Sequence, residues 1–270
     1  MDDPLNWSTD DQERALRAIA PWYDLDFGSL TDDVEMLREL TAPGQRVLEL
    51  GTGSGRLAVP LAEHGCHVTA VDSSEAMLSL GERRMRNAAV RVVRGDMRCL
   101  ELQERFDLVV IGLSTFQHLL RRRDQLAALR TARRHLAEGG HLLIDWTAPR
   151  ADDIEPSIQI LQVEWMRQAE SGAMVTKSAS QELAQDRQCG DPIDRALPIA
   201  WITYQYDSVD ETGQVRRSLA RFPLRVNLSV GEMAGLLAQS DLQGSTWFGS
   251  WDLTPVGLGD RIIVIAEEAS

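Results

Sequence analysis

The sequence predicts an α/β fold built on a doubly wound, mostly parallel sheet, and three observations predict it. Short apolar runs near 46–50, 67–71, 91–94, 107–111 and 141–145 alternate with helical segments, the pattern of a sheet wound by crossover helices. The first run, Val47-Leu48-Glu49-Leu50, passes directly into a glycine-rich turn and then a helix, as ligand-binding strand ends do. The segment from Pro149 to Asn227 then breaks the alternation with LQVEWMRQ, AMVTKSASQEL, IAWITYQYDSV and QVRRSLARFPLRV, separated by Gly-, Pro- and Asp-bearing turns such as 210–213. These read as antiparallel strands inserted after the fifth parallel one.

Ahead of the first strand, periodicity gives helices around Asp10–Tyr23 and Thr31–Leu40, closed by Pro43-Gly44. The second strand ends in Asp72 and leads into a helix capped by Ser73 or Ser74. A third strand, VRVVRGDMRCL, carries Asp96 and Met97 in its following loop. FDLVVIGLSTFQHL gives the fourth strand and its loop, and RHLAEGGHLLIDW a helix, a Gly-Gly turn and the fifth strand. After the insert, Ser229 and Glu232 have capping-box spacing and begin a helix. The expected domains are a helical cap over 1–43, a core over 44–149, a β-rich lid or dimer surface over 150–228, and a helix with closing strands over 229–270.

Gly51, Gly53 and Gly55 let the backbone turn tightly and come into contact with a ligand. A nicotinamide site would need Gly or Ala where Arg56 stands. Glu49, beside the turn, suits a cationic ligand better than a pyrophosphate. An acidic residue at the strand end, G-x-G-x-G, and a second carboxylate, Asp72, about 20 positions on together resemble motif I of the class I S-adenosylmethionine-dependent methyltransferases, and with the third, fourth and fifth strands and their loops the matches in the family's order number five.

That resemblance implies a seven-stranded sheet and S-adenosyl-L-methionine as cofactor, with S-adenosyl-L-homocysteine as product. It places Glu49, Gly51, Thr52, Gly53, Gly55, Arg56, Asp72, Ser73, Met77, Asp96, Met97 and Leu113 along the cofactor. Asp72 would accept both ribose hydroxyls, since one carboxylate offers two acceptor oxygens to a vicinal diol, although a cap for the next helix is the plainer role. Asp96 would read the adenine edge while Met97 packs on its face; a Gly-Asp pair is also a common turn. The layout is similar to small-molecule methyltransferases acting on amino sugars, amino acids and other bacterial metabolites, in which a Tyr-Asp pair on an N-terminal helix closes over the site. Tyr23-Asp24 matches that pair, which makes Tyr23 a catalytic or substrate-facing candidate beside a packing role.

His118, in the loop after the fourth strand with Thr115, Phe116 and Gln117, is the candidate general base; its alternative is a hydrogen-bonded structural imidazole. Phe116, Gln117, Trp146 and Trp201 are expected to face the substrate, and for the tryptophans core packing or a dimer contact competes with a cation-π cage. No His pair or acidic cluster has metal spacing, so no metal is expected.

Composition narrows the acceptor. With 28 basic against 41 acidic residues, net −13, the chain would repel nucleic acid, and the first 40 residues carry 11 acidic and 3 basic side chains. No apolar run approaches a membrane span, and the acidic opening MDDPLNWSTDDQER does not read as a signal peptide. Cys66, Cys99 and Cys189, odd in number and without metal spacing, suit a reducing, cytoplasmic setting. Lys177, the single lysine, reads as coding bias. The expected reaction is in-line methyl transfer to a small molecule, an amine nitrogen ahead of a hydroxyl or carboxyl oxygen, in a protein without nucleic-acid or membrane partners and with a homodimer as its candidate assembly. Another reaction of the same cofactor, or an inactive cofactor-binding subunit, is the alternative.

Overall fold

The computed structural model describes residues 3–150, 161–184 and 191–269; Cys189 lies outside them. The chain divides into two compact units, residues 30–149 with 227–270, and residues 1–29 with 150–226. The stretch expected as one cap, 1–43, is therefore shared between them.

In the larger unit the parallel strands are β1 (Arg46–Leu50), β2 (His67–Asp72), β3 (Arg91–Arg94), β4 (Phe106–Ile111) and β5 (Leu136–Thr147). Two later strands, β10 (Leu242–Phe248) and β11 (Arg261–Glu268), complete a seven-stranded sheet of order β10-β11-β5-β4-β1-β2-β3, with β11 antiparallel to both neighbours. Alternate residues of each strand enter different cores. Leu48, Leu50, Val109, Ile111, Leu142 and Ile144 pack with Leu129 of α5 (Arg122–His135) and Met233, Leu236 and Leu237 of α7 (Val230–Ala238). Val47, Val68, Ala70, Leu108 and Val110 pack with Leu37 of α2 (Asp32–Glu39), Leu61 of α3 (Ala58–Glu63) and Met85 of α4 (Glu75–Asn87). Burial on both faces explains why these strands read as continuous apolar runs.

Gly139-Gly140 was expected to be a turn before a strand at 141–145. It lies inside β5, where the pairing with β4 shifts register between Phe106 and Leu108. Gly139 has φ +71, and a Cβ on Gly140 would sit 2.8 Å from the Phe106 carbonyl oxygen, so the pair forms a bulge that only glycine fits. The capping box at α7 is fully formed, with Ser229 and Glu232 exchanging side-chain and backbone bonds.

The smaller unit is a four-stranded antiparallel sheet, β6 (Gln162–Gln168), β7 (Met174–Leu183), β8 (Ile199–Val209) and β9 (Val215–Arg225), in sequential order. A short helix, α6 (Pro192–Ala196), precedes β8. Across the sheet lies α1 (Thr9–Phe27), whose Ala15 and Ile19 pack against Ala200, Ile202, Ala220 and Phe222. This helix runs past the expected Tyr23, and tertiary bonds explain why: Trp165 Nε1 donates to Asp26 Oδ1 at 2.8 Å, and Arg167 Nη1 donates to the Asp26 carbonyl at 3.0 Å.

Lys177 is the hub of that anchorage rather than a bystander. Its ammonium, 3% exposed, lies 2.6 Å from Asp26 and 2.8 Å from Glu164, and 3.9 Å from the centre of the Tyr204 ring. Burial works against the charged form, but Tyr204, Asp26 and Glu164 outweigh it and raise the amine above its ordinary pKa. Tyr206 completes the cluster by donating to Asp26 Oδ2 at 3.0 Å. Removing one member of a buried pair strands the other charge, so Lys177→Ala is expected to cost about 3 to 5 kcal/mol, read as a lower urea midpoint for the full chain; an unchanged midpoint would remove Lys177 from the anchorage.

Candidate functional site

The glycine turn, Asp72, Asp96-Met97 and the loop of Gly112–His118 all lie at or just beyond the carboxyl ends of parallel strands in the larger unit. Gly51 and Gly55 have φ +84 and +78, values that exclude ordinary side chains without strain. The turn is also too crowded for them: a Cβ on Gly55 would come within 2.5 Å of Met85, and one on Gly51 would collide with Thr115 Cγ2 and lie 3.3 Å from Met97 Cε. Gly51 and Thr52 both donate backbone N–H to the Val71 carbonyl, at 2.8 and 2.9 Å. The loop behind them is fixed by Arg84 Nε, which donates to the Ser54 carbonyl at 2.6 Å.

Asp72 closes this turn from the neighbouring strand. One carboxylate oxygen accepts from Gly53 N–H at 2.7 Å and the other from Ser74 N–H at 2.8 Å. One carboxylate thus ties the glycine turn to the start of α4. The cap of α4 is Ser74, whose hydroxyl accepts from Met77 N–H at 3.2 Å; Ser73 is exposed, and the Met77 side chain is buried.

Glu49 is 3% exposed and accepts from the Thr52 hydroxyl at 2.6 Å. Burial pushes its carboxyl up to about 7, against the pull of Thr52 and Arg56 and with reinforcement from Asp72 and Asp33. Arg56, expected along the cofactor, is ion-paired instead with Asp33 of α2, donating to Asp33 Oδ1 at 2.9 Å and to the Leu30 carbonyl at 3.0 Å. With its guanidinium ion-paired to Asp33, the groups beside the turn are the acceptors Glu49 and Asp72, a set that suits a cation. Asp96 is held by Arg98, whose Nε lies 3.0 and 2.9 Å from its two oxygens; although burial alone would raise it, the Arg98 bonds bring the carboxyl below its ordinary value. Met97 reaches Gly51 and is half-buried.

After β4, Leu113 and Ser114 have φ 49 and 61, and a short 3-10 turn, Thr115–His118, follows. The candidates in this loop have different placements. Phe116 is fully buried in the core, and Gln117, 3% exposed, accepts from Thr147 N–H at 3.1 Å. Trp146, also fully buried, donates its indole N–H to the Leu228 carbonyl at 2.8 Å. Phe116 and Trp146 thus occupy the core where a substrate-facing role was expected, because their large apolar rings fill the layer between sheet and helices. His118 is partly buried, and desolvation lowers its imidazole to about 4.

In the smaller unit, Tyr23 is half-buried and packs 5.0 Å from the Phe27 ring. Trp201, expected to face substrate, is 4% exposed between Trp7, 5.5 Å away, and the Arg221 guanidinium, 4.4 Å from its ring centre. Among the described residues no group of three or more His, Cys, Asp or Glu is poised to hold a metal. Sequence reading missed Asp33, Arg261 and Asp145. Asp145 is a carboxylate closing the apolar run LLID, the same signal that singled out Glu49.

Residues 47–140 match the family model described as a methyltransferase domain. The chain carries a class I S-adenosylmethionine-dependent methyltransferase domain. It is 38% identical over 106 residues to the cypemycin N-terminal methyltransferase of a Streptomyces species, an alignment covering 39% of this chain and 43% of that protein. The chain thus spans less than half of that relative. In fold it is similar to the CcbJ methyltransferase of Streptomyces caelestis, with TM-score 0.73, 22% identity, and coverage of 96% of this chain and 99% of that one. A second similar structure is the sugar N-methyltransferase KedS8 of Streptoalloteichus sp, with TM-score 0.64, 21% identity, and coverage of 100% and 96%.

Two measurements test the methyltransferase domain's site. Asp72→Ala is expected to weaken S-adenosylhomocysteine binding by about 1.5 to 3 kcal/mol in calorimetry, the scale of hydrogen bonds to a charged group; equal affinity would take the ribose role from it. Glu49 holds its proton below about pH 7 and is ionised above. Affinity for a ligand bearing an ammonium should therefore rise between pH 6 and 8, and Glu49→Gln should flatten that rise. A falling affinity would place Glu49 away from the ammonium.

Proposed function

We propose that this protein methylates an amine nitrogen of a small molecule. When bound, S-adenosylmethionine supplies an electrophilic methyl group on a sulfonium, open to in-line displacement. The chain's own contribution is positioning: Asp72 for the ribose, Asp96 and Met97 for the adenine, Glu49 for the amino-acid end. Holding two reactants in line contributes on the order of 7 to 11 kcal/mol toward such a displacement.

The observation that carries the choice of nitrogen is the state of His118. An imidazole lowered to about 4 is neutral at physiological pH and a weak base, poorly matched to removing a proton from an alcohol or phenol. An amine that arrives as a cation gives up one proton to solvent on binding, attacks through the freed lone pair, and loses a second proton to solvent or a nearby carboxylate after the methyl group has moved. The names of two relatives point the same way: one is an N-terminal methyltransferase and one a sugar N-methyltransferase. The net charge of −13 agrees with an acceptor that reaches the protein as a cation. A homodimer remains the candidate assembly, and no described helix is long and apolar enough to cross a membrane.

The test is S-adenosylhomocysteine release in the presence of pooled amines, pooled phenols and alcohols, or pooled carboxylic acids. Turnover is expected with amines, and His118→Asn should lower it less than about threefold, far below the 10²- to 10⁴-fold cost of removing a working general base. Turnover confined to the alcohol pool, or a hundredfold loss on the histidine substitution, would replace this reading with oxygen methylation. A cofactor-derived product other than S-adenosylhomocysteine would replace it with a non-methyl reaction.

A further inference from the structure

The loop after β4 has an unusual conformation. Leu113 and Ser114 are consecutive, neither is glycine, and both are left-handed, at φ 49 and 61. Side chains at such angles crowd their own backbone, so a pair persists only where its surroundings impose it.

Those surroundings come from β5 and β11. Asp145 of β5 is fully buried; its Oδ1 accepts from Leu113 N–H at 2.6 Å and its Oδ2 accepts from Arg261 Nη2. The same Arg261 nitrogen donates to Ser114 Oγ at 2.9 Å, and that hydroxyl lies 3.4 Å from the Thr147 hydroxyl. One carboxylate and one guanidinium thus grip both left-handed residues. The next residue, Thr115, puts its methyl group on the space where Gly51 lacks a Cβ, beside Met97.

We propose that Asp145 and Arg261 are positioning residues of the methyltransferase site: together they lock the Leu113–Ser114 turn in its left-handed form and so press Thr115 against Gly51. This rests on the reading of the Gly51 turn as the cofactor site. Without the lock, the turn relaxes toward right-handed angles, Thr115 leaves Gly51, and the wall opposite the glycine turn is lost.

The experiment is calorimetric S-adenosylhomocysteine binding to the full-length chain, wild type first, then Asp145→Asn and Arg261→Lys, each alone and combined with Leu113→Gly. Circular dichroism and the unfolding midpoint are followed in the same samples. Asparagine keeps an acceptor for Leu113 but gives up the charge that holds Arg261. Lysine keeps a charge for Asp145 and the fold but cannot bridge to Ser114. Binding is expected to weaken at least tenfold in Asp145→Asn and at least threefold in Arg261→Lys. With glycine at 113, which adopts the left-handed form unaided, each loss should shrink at least threefold. A merely structural ion pair would show the same loss in both backgrounds, and that result overturns the proposal. So does a folded variant that binds within twofold of wild type. Should Asp145→Asn fail to fold, Arg261→Lys decides by the same criteria. Wild type that fails to bind would overturn the cofactor reading and this proposal with it, and is recognised before any variant is measured.

Discussion

Three apolar strands of the larger unit carry carboxylates at or near their carboxyl ends, and the need to satisfy those carboxylates shapes the loops that follow. An ionised carboxylate taken out of water is costly unless it is paired or hydrogen-bonded. Glu49 of β1 receives the Thr52 hydroxyl, Asp72 of β2 receives the Gly53 and Ser74 amides, and Asp145 of β5 receives Leu113 N–H and Arg261. Each bond draws the loop it serves toward the strand ends. The glycine turn and the left-handed turn after β4 are therefore consequences of the same requirement.

Those carboxylates also set the chemistry of the site. The arginine within the glycine turn is committed to Asp33, and the carboxylate edge of Asp96 is shared with Arg98. The remaining acidic groups form an environment for positive charge and hydroxyl donors. A partly buried imidazole with its basicity depressed stands in the loop after β4. Such a set favours holding reactants over moving protons.

The smaller unit solves a different problem with similar parts. A four-stranded sheet covered by α1 has a small core, to which Ala15, Ile19, Ala200, Ile202, Ala220 and Phe222 contribute. At its other end, the Lys177, Asp26, Glu164 and Tyr206 cluster takes the place of further apolar packing. Such a network specifies one register of helix on sheet, because any slip leaves a buried charge without its partner.

Local signals carried much of this into the sequence. Alternating runs, the G-x-G-x-G turn, the Ser229 box and the four inserted strands are written in residues close together in the chain, and β8 spans the same IAWITYQYDSV that its pattern marks out. What the sequence left open depends on neighbours distant along the chain. Gly139-Gly140 reads as a turn until the Phe106 carbonyl makes it a bulge, and α1 reads as ending at Tyr23 until Trp165 and Arg167 bind its last turn. Phe116 and Trp146 belong to a motif-bearing loop and a strand end, yet their rings fill the core; a linear pattern does not say which side of the sheet a residue faces once a loop has turned. Asp33, Asp145 and Arg261 gain their roles only through partners 23, 32 and 116 residues away. The sequence by itself determined the strands and the glycine turn, since backbone conformation is local. Tertiary structure decided which charges pair and which aromatic rings are buried, because burial and ion pairing are properties of the assembled neighbourhood.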